Sequence, residues 1–200
     1  MALIVEFPPP AVDAPPALDR IRSLSQPLEW LFGGLFVLVA TLLAIAVVAV
    51  LTYGGTRLQV FPGGINIFLE ATAAPLRDGW TTVGSRPLVQ KAALAASACL
   101  MIVPALAILW QLRRLFRLYG AGVVLAAANA RCIAVMAGWL VAYAVGPTLG
   151  HLVVAASGFD DRGWLRLDSL QALALGLVLL VIARVMQWGA DIHDDASRFV

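Results

Sequence analysis

The sequence predicts an all-α integral membrane protein, a four-helix bundle with an N-terminal amphipathic helix. Three observations carry that prediction. Hydrophobic residues fill 61% of the 200 positions, charged residues only 13%, and mean hydropathy is +0.88. A soluble domain of this size covers its surface with charge, and this chain has too little to do so. Four long runs are free or nearly free of charge, at about 30–53, 92–112, 132–156 and 170–188. Tryptophans mark their ends: Trp30, Trp110 and Trp188 fall at one expected interface, Trp80 and Trp164 near the other.

Each run reaches the roughly 20 residues that a helix needs to cross about 30 Å of hydrocarbon. Lipid offers no hydrogen bonds to a bare backbone, so helices are the expected form. The first span, Trp30 to Tyr53, is too long for the apolar core of a secretory signal and lacks a small-residue cleavage site, so it reads as a retained helix. Trp139 stands alone well inside the third span, where packing between helices is the expected role.

The remaining segments follow from their composition. Residues 1–16, ending in FPPPAVDAPP, read as an extended, disordered leader ahead of a four-span membrane domain over 17–200. From Ala17 to Trp30, Leu18, Ile21, Leu24 and Leu28 recur at helical spacing while Asp19, Arg20 and Arg22 take other faces. This is an interfacial amphipathic helix that Pro27 ends or kinks. Docking of a cytoplasmic partner is its alternative role. The connection Gly54–Pro87 carries the β-favouring or amphipathic run LQVFPGGINIFLE, which either caps the bundle or shapes a ligand mouth.

Charge distribution sets the expected orientation. Arg113, Arg114, Arg117 and Arg131 crowd the second connection, against Arg162 and Arg166 in the third, while Arg57, Arg77, Arg86 and Lys91 around the first weigh the other way. Basic residues favour the cytoplasmic side, so both termini are expected there. The thirteen arginines against one lysine, in an Ala-rich chain, suggest a GC-rich bacterial genome and hence the bacterial inner membrane. A net charge of +2, without a basic run, gives no reason to expect direct nucleic-acid binding.

Inside the bilayer, Ala130, Ala134, Gly138, Ala142, Gly146 and Gly150 recur every fourth residue along the third span. Small residues let another backbone come close, and van der Waals contact replaces the hydrophobic drive that lipid removes. Ala134, Gly138, Ala142 and Gly146 are therefore the expected helix-packing positions, within the bundle or at a homodimer seam. Pro104 and Pro147 each remove a backbone donor and are expected to kink their helices. Arg184 is the one charge deep in a span, about 6 Å along the axis from Trp188, and is expected to snorkel to the interface or pair with a carboxylate.

Chemistry is sparse. Cys99 and Cys132 form no ligand motif, and His151 and His193 are expected at opposite faces of the membrane. The spans contain no Asp or Glu, and no nucleophile motif or phosphate-binding loop occurs, so neither catalytic residues, metal nor cofactor are expected and the chain reads as a non-enzyme. The charged surfaces expected on the cytoplasmic side are Arg113, Arg114 and Arg117 with the tail residues Asp191, Asp194 and Asp195. They are the candidate contacts for a partner, membrane lipids being the other candidate.

Two stretches resemble a bacterial family of small four-helix membrane proteins catalogued as domain of unknown function 2975. The first is LWQLRRLFRLYGAGVVLAAANARCIAVMAGWL, Leu109 to Leu140, where Phe116, Tyr119, Gly120, Asn129 and Arg131 occupy the family's basic-aromatic, glycine and Asn-basic places. The second is LALGLVLLVIARVMQWGADIHDDASRFV, Leu173 to Val200, with its helical glycine, acidic tail and short apolar end. The chain departs from the family in Val-Val-Leu-Ala after the loop glycine. Such proteins are often encoded beside a helix-turn-helix regulator, so the resemblance implies a membrane partner that senses or sequesters a cytoplasmic transcription factor. A transport or channel component is the other function weighed.

Overall fold

A computed structural model describes residues 16–55, 57–61, 64–67, 81–123, 127–159 and 167–197. The expected leader lies outside these residues except for Pro16, where the first helix starts. Four helices dominate: α1 (Pro16–Thr52), α2 (Leu88–Gly120), α3 (Ala127–Ala156) and α4 (Leu167–Ser197). All four are long and apolar enough to cross a membrane. The chain is an all-α, multi-pass membrane bundle.

The outward faces of α1 and α4 are apolar, with Leu35, Leu38, Ile45, Leu177, Val181 and Val185 all exposed. Such surface is unfavourable in water and ordinary in lipid. The helices pack in chain order, α1 on α2, α2 on α3 and α3 on α4, which makes α2–α3 the central pair. A cavity of about 320 Å³ lies among all four, lined by Val39, Ile102, Tyr143, Pro147 and Ser169.

Helix ends follow local chemistry. Arg86 is extended (φ −85°, ψ 147°), as is favoured before proline, and Pro87 is the N-cap from which α2 begins at Leu88. At the other end Gly122 takes φ 82°, its N–H donating to the Tyr119 carbonyl at 2.9 Å while Val123 N–H reaches Leu118 at 3.0 Å. This left-handed cap satisfies carbonyls that the helix leaves open. Gly158 (φ 84°) also turns left-handed at the end of α3, its N–H donating to the Ala155 carbonyl at 3.0 Å.

Pro27 does not end the first helix. α1 continues through it, so the amphipathic segment and the first span form a single rod. Proline forfeits one bond, to the carbonyl four residues back. That carbonyl belongs to Ser23, an exposed residue, and the turn around it is held by Ser25, which is 2% exposed and lies against Gly120 of α2.

The small-residue stripe of α3 is used unevenly. A Cβ built on Gly146 would stand 2.5 Å from the Leu100 carbonyl oxygen of α2, and one on Gly150 would stand 2.6 Å from Ser97 Oγ. Ala130 is fully buried, and Ala134 packs beside Leu115, Ile133 and Met136. Ala142 lines an open groove between α2 and α3 together with Trp139. Gly138 is exposed, with nothing within 4 Å of where its Cβ would be, so it is not a packing position within the bundle. Four-residue steps drift by roughly 40° each on a helix of 3.6 residues per turn, so Gly138 has rotated off the seam that Gly146 and Gly150 share. On α4, Gly176 fills that role against α3, 3.1 Å from the Ala137 carbonyl by the same measure.

The first connection holds a small antiparallel sheet: β1 (Leu58–Phe61), β2 (Gly64–Ile67) and β3 (Thr81–Thr82), in the order β2-β1-β3. Leu58 pairs with Ile67 and Gln59 with Thr82. Its buried residues Leu58, Val60 and Val83 share a core with Val50, Leu94, Val154 and Phe159 from α1, α2 and the end of α3. The sheet therefore caps that end of the bundle.

Replacing Gly146 with Leu is expected to cost about 1–3 kcal/mol by overpacking against a backbone oxygen that cannot move aside. Gly138→Leu should leave stability unchanged or slightly higher. Thermal unfolding in detergent distinguishes them, and equal losses would remove the assigned seam.

Candidate functional site at the arginine-lined end

Opposite the sheet, the first half of α1 meets the end of α2. Ridges of aromatic rings weld the two: Phe32 stacks on Phe116 at 5.4 Å and Phe36 tilts against Trp110 at 5.3 Å. Phe116 meets Tyr119 edge-on at 6.1 Å. These contacts fix how the arginines of α2 are presented, because Arg113 and Arg117 stand one turn apart on the helix.

Arg113 turns back toward α1. Its guanidinium lies 5.5 Å from the Trp110 ring, a cation–π contact, and its chain crosses Gly33, whose built Cβ would be 3.3 Å from Arg113 Nε. Gly33 is the gap through which that side chain passes. Arg114, one residue on, is exposed, as are Arg117 and Arg131. Arg22 of α1 reaches the α2 terminus, with Nη2 2.8 Å from the position a Cβ would take on Gly122. A cation there faces the negative end of the helix dipole. Among the described residues no carboxylate pairs with Arg22, Arg113 or Arg117.

The three candidate arginines thus separate: Arg113 enters the α1–α2 groove, Arg114 points outward, and Arg117 shares a polar basin with Arg22, Ser23, Gln26 and Glu29. The backbone of α4 stays helical to Ser197 and so carries Asp191, Asp194 and Asp195, whose side chains lie outside the described set. Leu179, Ala183 and Met186 of α4 pack with Leu115 and Tyr119 of α2, so the end of α4 reaches the same side as the arginines. Arg184 is exposed on α4.

Two polar residues have structural roles that the sequence did not show. Asn129, at the start of α3, is 0% exposed and its amide donates to the Val123 carbonyl at 2.7 Å, tying the second connection to the bundle. Arg86, at the sheet end, donates to Thr81 Oγ1 at 2.6 and 3.0 Å and to Gln90 Oε1 at 3.3 Å, with its guanidinium 5.0 Å from the Phe159 ring. In sequence Arg86 counted only as a loop charge. An arginine just ahead of the proline that opens a helix, with Gln four residues on, was the available signal.

Cys99 and Cys132 are free thiols on neighbouring helices, and His151 is half-buried near the end of α3. Compared with family models, curated proteins and solved structures, the chain has no significant match.

Asn129→Ala should destabilise the protein by about 0.5–1.5 kcal/mol, because the bond from the Asn129 amide to the Val123 carbonyl is lost. Thermal unfolding in detergent, with protease cutting within 121–126 as the local readout, checks this. Unchanged values on both would show that the bond does not hold the connection.

Proposed function

We propose that this chain is a non-enzymatic protein of the bacterial inner membrane that senses or sequesters a cytoplasmic helix-turn-helix regulator. The observation that carries the reading is the outward presentation of Arg114 and Arg117 at the end of α2, on the side that the end of α4 also reaches. A charged surface of this kind, rimmed by basic residues and approached by an acidic helix end, suits recognition of a partner whose own charges are mixed. The resemblance of Leu109–Leu140 and Leu173–Val200 to the domain of unknown function 2975 supports the same reading.

The reading requires the arginine-lined end to be cytoplasmic. Reporter fusions at Val200 and within Ala71–Trp80 should then report opposite sides, the first inside. Matching sides would refute a four-span topology, and a reversed pair would place the arginines away from any cytoplasmic partner.

The contact itself is tested by Arg114→Gln with Arg117→Gln, leaving Arg113 and Arg131 to hold the orientation, and separately by removal of 191–200. Each variant should release the regulator on co-purification from the native host and alter its transcriptional output. A regulator still bound after both changes together would place the contact elsewhere.

A further inference from the structure

We propose that the α1–α2 groove is a binding site for one anionic glycerophospholipid, with its phosphate held by Arg113 and neighbouring arginines and an acyl chain laid along α1. This inference is independent of the regulator reading: Arg117 borders both surfaces, but the test turns on Arg113 and Gly34, which that reading does not use. Two adjoining depressions have the two parts a lipid needs. One, of about 520 Å³, is polar and lined by Arg22, Ser23, Gln26, Glu29, Arg117 and Gly120. The other, of about 780 Å³, begins at the same Gln26 and Glu29, passes Arg113, and continues along Gly33, Gly34, Val37, Leu38 and Thr41.

Length and chemistry both fit. Fifteen helical steps from Gln26 to Thr41 span about 22 Å, longer than the roughly 15 Å of hydrocarbon in one leaflet. Gly33 and Gly34 give the groove its depth: the first is crossed by the Arg113 chain, and nothing lies within 4 Å of a Cβ built on the second. Trp30 stands at the mouth, 76% exposed, where an indole ring belongs in the head-group layer.

Charge selects the head group. Among the described residues, Arg22, Arg113 and Arg117 line the paired depressions against one carboxylate, Glu29, and none of the three arginines has an ion-pair partner. A phosphate diester supplies the acceptor oxygens that guanidinium groups match, and a head group with hydroxyls donates to Glu29. A free phosphate would leave the long apolar groove unfilled, so a lipid is the occupant the shape demands.

The test is native mass spectrometry of the delipidated full chain in detergent, titrated with phosphatidylglycerol, phosphatidylethanolamine or phosphatidylcholine of the same acyl chains. One phosphatidylglycerol should bind at least about fivefold more tightly than either other lipid. Arg113→Gln should weaken it about fivefold, the contribution of one basic residue at an anionic head group. Gly34→Leu should weaken it as much by filling the groove. That side chain enters open space, so the variant keeps the unfolding temperature of the native chain in lipid-free detergent and decides the matter even if Arg113→Gln fails to fold. Arg114→Gln should bind as the native chain does. Equal binding of all three lipids, a preference for phosphatidylethanolamine, full binding by Gly34→Leu, or displacement by inorganic phosphate alone would each overturn the proposal.

Discussion

The bundle depends on one close approach between backbones at its centre. Pro104 has no N–H to give to the carbonyl of Leu100, and in lipid an exposed carbonyl finds no water to replace it. The α3 backbone closes on that oxygen at Gly146, where only a hydrogen fits between them. Weak Cα–H···O contacts of this kind recur where helices lie very near one another. Proline on one helix and glycine on the next are therefore a single device. Ser97 against Gly150, one turn along, continues the seam. Because α1 packs on α2 and α4 on α3, the outer helices inherit their positions from this central pair.

The two ends of the bundle solve the problem of polar groups differently. At the sheet end Arg86 is spent on structure, bonded to Thr81 and Gln90 and covered by Phe159, while Gln90 itself donates to the Ser157 carbonyl at 3.4 Å. That network joins β3, the start of α2 and the turn after α3. At the arginine end, aromatic rings and a helix terminus stand where carboxylates would otherwise be, and the cations there keep capacity for an anion.

What was legible in the sequence divides along physical lines. Spans were legible because lipid imposes its demand residue by residue: a stretch such as Trp30 to Tyr53 has no other way to satisfy its backbone. The sheet was only half legible, since LQVFPGGINIFLE announces β1 and β2, whereas Thr81–Thr82 gains its strand geometry solely by pairing with Gln59 and Val60. Gly138 and Gly146 look alike in sequence and differ only in which way the helix has turned by the time it meets α2. Arg113 and Arg114 are likewise indistinguishable along the chain. Their separate fates come from Gly33 on another helix, a fact that no window around residue 113 contains.

That last contrast bears on how charge at a membrane surface is to be understood. Positive residues beside a span are commonly explained by orientation alone, and orientation needs only their number. Number does not explain why a guanidinium should leave water to lie across a glycine and over an indole. Moving it there loses hydration, which a cation–π contact recovers only in part at about 0.5–2 kcal/mol. An arginine that served orientation only would remain exposed, as Arg114 does. The inward course of Arg113, with Gly33 and Gly34 left without side chains beside it, is thus a built feature whose remaining cost an anion in the same groove would offset.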